Sequence, residues 1–304
     1  MLRIGIDLGG TKTEILVLDA TGAELLRARR PTPAGDYAAT LQQIAAMVTD
    51  AERQLGQPGT VGIGLPGSIS PASGLMRNAN STCLNGQPLK RDIEALLHRP
   101  VAISNDANCF ALSEASDGAA AGAASVFGVI IGTGTGAGLV IDGKVVGGHN
   151  GVAGEWGHNP LPWPRTDEYP GPACWCGLSG CIETWLSGPG FAREFERATG
   201  QRRDAEAIVA AAEAGERTAA EALARYWDRL ARSLAHVINV FDPEVIVLGG
   251  GMSNIRSLYD HVPRQWGQYV FSDCVSTRLL PPRHGDSSGV RGAAWLGATT
   301  RPES

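Results

Sequence analysis

Apolar residues in this chain form short strand-like runs separated by glycine-rich turns, and each group of runs is followed by a longer pattern with helical spacing. In the first half, two runs lie on either side of Gly9-Gly10-Thr11 and a third follows Ala20-Thr21-Gly22. Residues 37–55 have helical spacing, and the apolar run at 61–65 ends before Pro66-Gly67. The pattern predicts three strands joined by hairpin turns, then a helix and a buried strand.

The second half repeats this order of elements. The corresponding segments are three strands within 126–146, a helix at 218–241 and a buried strand at 245–248 that ends in glycines. Each half adds one further strand–loop–helix unit, at 101–115 and at 278–296. The chain is therefore predicted to contain two copies of one α/β unit.

We expect an α/β fold of two lobes with a ligand-binding cleft between them, because clefts between domains are common ligand sites. The N-terminal lobe is predicted at 1–117, joined by a C-terminal helix within 290–304. The C-terminal lobe is predicted at 118–289, with an insertion at 150–190.

Composition narrows the class of function. A formal net charge of −5 gives no electrostatic case for binding nucleic acid or a membrane surface. Residues 1–7 include an acid and no long apolar run, so neither a signal peptide nor a membrane span is expected, and the expected location is the cytoplasm. Glycine is frequent, 40 of 304 residues, and lies in clusters after apolar runs, where the backbone turns or approaches a ligand.

One histidine and three cysteines, the ligand set of a closed tetrahedral zinc site, lie close together in the second half. They are His158, Cys174, Cys176 and Cys181. The alternative is a disulfide or plain buried thiols. Three cysteines leave one unpaired, Cys174 and Cys176 are too close to pair comfortably, and no export signal is expected. The sequence therefore favours a structural zinc ion.

Two acids bracket this set of ligands. Glu155 lies three residues before the histidine, and Glu183 lies two residues after the last cysteine. A metal ion at this position would hold the two carboxylates in a fixed relation. Carboxylates held in this way can orient a substrate that carries several hydroxyl groups.

The first glycine turn is a candidate phosphate-binding loop. It reads Asp7-Leu8-Gly9-Gly10-Thr11-Lys12 and matches neither a dinucleotide-binding fingerprint nor a P-loop. A glycine-rich hairpin turn still offers backbone N–H groups to an anion. Asp7 could hold Mg²⁺ through water, and Thr11 or Lys12 could contact phosphate. An ordinary hairpin turn is the alternative, although it would need neither Asp7 nor Lys12.

Two further glycine clusters support nucleotide binding. Gly132-Thr133-Gly134 occupies the matching place in the second half, which favours the phosphate-binding interpretation of both loops. Gly249-Gly250-Gly251 offers a backbone surface without side chains, which suits adenine or its ribose.

Asp106 is the candidate general base. It follows an apolar strand at 101–105 and precedes a helix, beside Asn105. In phosphoryl transfer the protein mainly positions the reactants, and one carboxylate accepts the proton of the hydroxyl group. The alternative is that Asp106 only caps the helix that begins at Ala107.

Taken together, these motifs resemble the ROK family of sugar kinases, which has the actin/hexokinase/Hsp70-like fold, and the resemblance runs over essentially the whole chain. The motifs that carry it are Asp7–Lys12, Pro66-Gly67, Asn105–Asn108, Ile131–Gly134, Gly154–His158 and Cys174–Glu183. The segments 78–82 and 159–163 look most like the bacterial fructokinase branch.

The resemblance implies ATP-dependent phosphorylation of a hexose, with fructose as the expected sugar, O6 as the acceptor and Mg²⁺ accompanying ATP. It implies that Asp106 is the base and that sugar hydroxyls bind to Asn105, Glu155, Glu183 and Asn80. The chain departs from the family at Cys83, where a tryptophan is frequent.

Alternatives within the family are a kinase for glucose, mannose or N-acetylmannosamine, a sugar-responsive repressor, and a catalytically inactive sugar sensor, against which Asp106 and both nucleotide loops argue. Repressors of this family carry a helix-turn-helix before the first hairpin, which here begins at Leu2, so an enzyme is expected. The resemblance also makes a homodimer an expectation.

Overall fold

A computed structural model describes residues 1–79 and 81–298, apart from the side chain of Asp286. The strands are β1 (Leu2–Leu8), β2 (Lys12–Leu18), β3 (Glu24–Pro31), β4 (Gly59–Leu65), β5 (Ser68–Ile69), β6 (Met76–Arg77), β7 (Val101–Asn105), β8 (Ser125–Ile131), β9 (Thr135–Ile141), β10 (Lys144–Val145), β11 (Val245–Gly249) and β12 (Arg278–Leu280). The α-helices are α1 (Tyr37–Leu55), α2 (Leu89–Leu97), α3 (Asp106–Ser116), α4 (Ile182–Leu186), α5 (Gly188–Thr199), α6 (Ala205–Glu213), α7 (Arg217–Phe241), α8 (Leu258–Trp266) and α9 (Ser288–Gly297). In this part of the chain no helix is both long enough and apolar enough to span a bilayer.

The chain divides into two compact units. Unit 1 comprises Met1–Gly122, Gly138–Ala153 and Arg283–Ser304, and unit 2 comprises Ala123–Ala137 and Gly154–Pro282. The boundary expected at 117/118 lies after residue 122, Gly138–Ala153 also belongs to unit 1, and the C-terminal segment that was expected to join this unit begins at Arg283 rather than at residue 290.

Close packing explains why these two segments belong to unit 1. A Cβ atom at Gly138 would lie 2.6 Å from the carbonyl oxygen of Ala107 on α3. The backbone N–H groups of Arg283 and His284 donate to the carboxylate of Glu114, also on α3. Both contacts depend on tertiary structure and leave no local sequence pattern.

The sheet of unit 1 has the strand order β3-β2-β1-β4-β7. β1, β2 and β3 form an antiparallel meander, whereas β1, β4 and β7 are parallel, as the predicted hairpins and buried strand require. α1 has the predicted bounds and turns Leu41, Ile44 and Val48 inward. α9 packs so closely on the strands that a Cβ atom at Gly62 would lie 2.0 Å from the carbonyl oxygen of Ala293.

A second five-stranded sheet has the order β10-β9-β8-β11-β12, and its strands β8, β11 and β12 lie in unit 2. β8, β11 and β12 are parallel. β9 begins in unit 2 and ends in unit 1. The long helix α7 was predicted to begin at Thr218 and begins at Arg217.

A buried ion network holds the insertion against α7. Glu168 accepts hydrogen bonds from Arg229 (2.8 Å) and from Arg232 (2.9 Å to each carboxylate oxygen). Arg232 also donates to the carbonyl oxygens of Pro162 and Trp163, each at 2.9 Å. Burial opposes ionisation of Glu168, but the hydrogen bonds outweigh it and lower the pKa of Glu168 to about 2.

Candidate functional site

Asp7, Asn105 and Asp106 are brought to one edge of the sheet in unit 1. Asp7 pairs with Gly64 and Asn105 pairs with Leu65, so the carboxyl ends of β1, β4 and β7 lie side by side. This edge of a parallel sheet is where ligands bind in open α/β folds.

Asn105, rather than Asp106, is the N-cap of α3. Its Oδ1 atom accepts a hydrogen bond from the backbone N–H of Asn108 at 2.8 Å. Asp106 is the first residue of the helix, is exposed, and its Oδ1 accepts from the backbone N–H of Ala107 at 2.8 Å. Asn105 is therefore the N-cap of α3, and Asp106 adds a further hydrogen bond in the first turn of the helix.

The carboxyl group of Asp7 lies in a negative environment. Burial, followed by the charges of Asp106 and Glu14, raises the pKa of Asp7 to about 6, although Lys12 and Arg29 act in the opposite direction. Glu14 is buried and forms ion pairs with the Nε atoms of Arg27 (3.1 Å) and Arg29 (2.7 Å). A group with such a pKa is well suited to a cation that neutralises the shared negative charge.

The first glycine loop is a tight and exposed turn. The backbone N–H of Gly9 donates to the carbonyl oxygen of Lys12 at 3.0 Å, and the backbone N–H of Thr32 donates to that of Thr11 at 3.0 Å. Gly10, Thr11 and Lys12 are exposed, as a loop that binds phosphate through its backbone requires. A cavity of about 320 Å³ beside the loop is lined by Gly10, Thr11 and the segments 32–35 and 81–84.

Asn80 lies outside the described residues. The preceding residue is fixed by Asn85, whose side chain accepts from the backbone N–H of Ala79 (2.8 Å) and donates to its carbonyl oxygen (3.0 Å). Asn85 was not among the predicted site residues. Its sequence context indicates a functional role only weakly, because a single Asn in a loop is common and has many structural roles.

The two glycine clusters of unit 2 follow neighbouring strands of one sheet. Gly249 of β11 pairs with Ile130 of β8, so both clusters follow neighbouring parallel strands. Gly250 has φ +77°, and a Cβ atom on it would lie 2.4 Å from the carbonyl oxygen of Ile131. Only glycine fits such a position.

A cavity of about 900 Å³ opens beside these loops. Its lining includes Gly132 and Thr133, the beginning of α5, one face of α6, and residues 251–255. The backbone N–H of Gly188 at the start of α5 donates to the carbonyl oxygen of Gly132 at 2.9 Å. The positive end of a helix therefore lies at the glycine loop, an arrangement that favours anions.

Sequence reasoning missed α5 and α6, and with them two walls of this cavity. Both had cap signals: Ser187 and Asp204 are N-caps whose side chains accept from Gly190 and Ala207. Ser187 is followed by Gly188-Pro189, and proline is favoured in the first turn of a helix.

The four predicted metal ligands are brought together in unit 2. The ligand atoms of His158, Cys174, Cys176 and Cys181 all lie within 4.8 Å of one another. The Sγ atom of Cys174 lies 3.6 Å from His158 Nδ1, and the Sγ atoms of Cys176 and Cys181 are 3.6 Å apart, which excludes a disulfide between them. Three thiol sulfurs and an imidazole nitrogen at these spacings fit a tetrahedral zinc ion.

The two acids that bracket the cluster have different environments. Glu155 is exposed and precedes the turn Trp156–His158, which Gly157 brings against the second glycine loop: a Cβ atom there would lie 2.1 Å from the carbonyl oxygen of Thr135. Glu183 is half-buried and accepts hydrogen bonds from Trp175 and Thr135. The candidate metal ligands, both acids and the second glycine loop thus lie in one part of unit 2.

Comparison with known proteins shows which family the chain is similar to. Residues 3–300 match the family model described as ROK family. An N-acetyl-D-glucosamine kinase of Vibrio atlanticus (strain LGP32) is 42% identical over 296 residues, which cover 96% of this chain and 98% of the relative.

Two solved structures are similar over nearly the whole chain. The ROK hexokinase from Thermus thermophilus is 32% identical, with a TM-score of 0.87 and 98% of each chain covered. The ROK family glucokinase from Streptomyces griseus, solved with glucose and AMPPNP, is 28% identical, with a TM-score of 0.74, 98% of this chain and 100% of that chain covered.

Proposed function

Because this chain belongs to the ROK family and is a sugar kinase, a phosphotransferase with an alcohol acceptor, we propose that it phosphorylates the 6-hydroxyl group of an N-acetylhexosamine with ATP. N-acetyl-D-glucosamine is the first candidate substrate. The proposal rests on the exposed carboxylate of Asp106, at the sheet edge that also carries Asp7 and the first glycine loop.

The choice of sugar follows the relatives. The segments 78–82 and 159–163 favour fructose by resemblance, whereas relatives 42% identical over nearly the full length are named N-acetyl-D-glucosamine kinases. The whole-chain similarity outweighs two short segments, so an amino sugar replaces fructose as the leading candidate. Glucose is the second candidate, since the Streptomyces griseus relative was solved with it.

In the proposed reaction, Asp106 accepts the proton of the 6-hydroxyl group as the hydroxyl oxygen attacks the γ-phosphorus of ATP, and ADP leaves. The carboxamide oxygen of Asn105 is used in the helix cap, so its NH₂ group is the part that would donate to a sugar hydroxyl. Glu155 and Glu183 would accept hydrogen bonds from other hydroxyls of the sugar, and Asn80 is a further candidate.

The proposed nucleotide site comprises the glycine clusters and the 900 Å³ cavity. Backbone N–H groups of the loops Gly9–Lys12 and Gly132–Gly134 would bind phosphate oxygens, and Gly249–Gly251 would face the nucleoside. Mg²⁺ bound with ATP would neutralise the charge of the phosphates. Asp7 would hold this ion through water.

One zinc ion with a structural role would be held by His158, Cys174, Cys176 and Cys181, because four protein ligands leave no position for a reactive water.

A homodimer is also part of the proposal. Light scattering would show it as twice the mass of one chain.

A substrate panel tests the choice of sugar. Purified protein with ATP and Mg²⁺ is assayed for ADP release with N-acetyl-D-glucosamine, N-acetylmannosamine, glucose, mannose and fructose. We expect the highest kcat/KM with N-acetyl-D-glucosamine, since a site that binds the acetamido group discriminates against sugars that lack it. A tenfold preference for fructose or glucose would refute the amino-sugar assignment, and no stimulation by any hexose would refute the kinase proposal.

A further inference from the structure

Both carboxylate oxygens of Glu183 are held by donors from two separate segments of unit 2. The indole N–H of Trp175 donates to Oε1 at 2.8 Å, and the backbone N–H of Thr135 donates to Oε2 at 2.9 Å. Hydrogen bonds of this length to a carboxylate group are strong. The direction of the Glu183 side chain is therefore fixed by Trp175 on one side and by the second glycine loop on the other.

Trp175 lies between two of the proposed metal ligands, Cys174 and Cys176. Its side chain is 75% exposed, so burial contributes little to its position. The ring is instead held edge-on against the imidazole of His158, with centroids 4.8 Å apart and an interplanar angle of 88°. Such edge-to-face pairs are a favoured aromatic geometry. Trp175 thus contacts a ligand of the metal cluster and Glu183 at the same time.

The second glycine loop is fitted closely to this carboxylate. A Cβ atom on Gly134 would lie 2.8 Å from Oε2 of Glu183, so a side chain at this position would displace the carboxylate. A continuous chain of contacts therefore runs from the metal cluster to the glycine loop, through His158, Trp175, Glu183 and Thr135.

We propose that Trp175 is a positioning residue, which aims the carboxylate of Glu183 at the sugar and couples the metal cluster to the phosphate-binding loop. This inference rests on the proposed function, in which Glu183 binds a sugar hydroxyl. A carboxylate has about four acceptor positions, so the two protein donors leave capacity for a substrate hydroxyl. Trp175 need not contact the sugar itself.

The variant Trp175→Phe tests the inference, because it removes the N–H donor and keeps an aromatic edge beside His158. We expect the Kd for N-acetyl-D-glucosamine, measured by calorimetry without ATP, to rise roughly 10- to 150-fold, the range that corresponds to loss of one hydrogen bond to a charged group. The KM for ATP should change less than twofold, because the Thr135 bond remains. Zinc content by elemental analysis should match the unchanged protein.

Trp163→Phe is the matched control. Trp163 is another exposed tryptophan of the insertion, but its ring stacks on Tyr269 at 5.5 Å. We expect this variant to bind the sugar within twofold of the unchanged protein.

A double-mutant cycle separates positioning from a merely structural role. If Trp175 acts through Glu183, then Trp175→Phe should change sugar affinity less than twofold in a Glu183→Gln background. Three results would each overturn the inference. They are effects of the two substitutions on Kd that multiply, loss of zinc from Trp175→Phe, and a Kd of Trp175→Phe within twofold of that of the unchanged protein. Failure of the proposed function is distinguishable, because then the unchanged protein itself would bind none of the sugars in the panel.

Discussion

At the scale of single residues, the sheet edge of unit 1 concentrates negative charge where the chemistry is proposed. Asp7 lies in the field of Asp106 and Glu14, and its pKa rises to about 6. An arrangement that raises the energy of the ligand-free protein can be useful once a cation and a phosphate chain bind. Asp7 should therefore reduce stability while it serves the site.

The substitution Asp7→Asn tests whether Asp7 lowers the stability of the ligand-free protein. The ordinary pKa of Asp7 is 3.8 and its folded-state pKa is about 6, so the folded state holds its proton more tightly than the unfolded chain. The destabilisation is absent below pH 3.8, grows as pH rises through this window and is constant above pH 6. We expect Asp7→Asn to be more stable than the unchanged protein by about 1–3 kcal/mol at pH 7, at about 1.4 kcal/mol per pKa unit.

Thermal unfolding of the ligand-free protein at pH 4 and pH 7 measures the effect. The gain in Tm should be larger at pH 7 than at pH 4. The exposed Asp273, replaced by Asn, is the control and should show no such trend. An Asp7→Asn variant whose Tm difference does not grow with pH would contradict the account.

At the scale of elements, the insertion depends on interactions that are not hydrophobic. Its segment Thr166–Glu168 is tied to α7 by Glu168, Arg229 and Arg232, whose side chains are at most 4% exposed. Ion pairs buried to this degree add little when complete, but removal of one partner leaves a charge without compensation. The network therefore fixes the place of the insertion that carries the four candidate metal ligands.

Glu168→Gln should lower the free energy of unfolding by about 3–5 kcal/mol, because two buried guanidinium groups each lose one of their two carboxylate partners. The folded-state pKa of about 2 lies below the ordinary value of 4.5, so this stabilisation is present above pH 4.5 and is lost as pH falls toward 2. Urea unfolding at pH 7 measures the loss, with the exposed Glu196→Gln on α5 as the control. A loss below 1 kcal/mol would show that the network is not needed.

The elements that could be predicted were those with strong periodicity or clear turn residues. α1 was predicted with its observed bounds, and α7 was one residue short. α6 was missed because Ile208 is its one buried residue, so it has little apolar periodicity. α8 contains Pro263, which argues against a helix. α2 buries Leu89, Ile93 and Leu97, a pattern that was present in the sequence and overlooked.

At the scale of the whole molecule, the duplication predicted from the sequence is confirmed in the strand orders. The two five-stranded sheets have matching strand orders, and in each the last three strands of that order, β1-β4-β7 and β8-β11-β12, are parallel. The proximity of His158, Cys174, Cys176 and Cys181 was predictable because the chemistry of a candidate metal site restricts residue types. The link from Trp175 through Glu183 to Thr135 was not predictable, because it joins residues 40 positions apart through side-chain direction and a backbone N–H.

The most direct test of the kinase account is the kcat of Asp106→Asn with the best sugar of the panel. The change keeps the shape of the side chain and removes the base, and loss of a general base typically lowers rate by about 10²–10⁴-fold. Calorimetry should show that the variant still binds ATP, and Asn105 should still cap α3, so the Tm should stay near that of the unchanged protein. The account predicts a fall in kcat of at least 100-fold. A variant that keeps more than a tenth of the original kcat would show that Asp106 is not the proton acceptor.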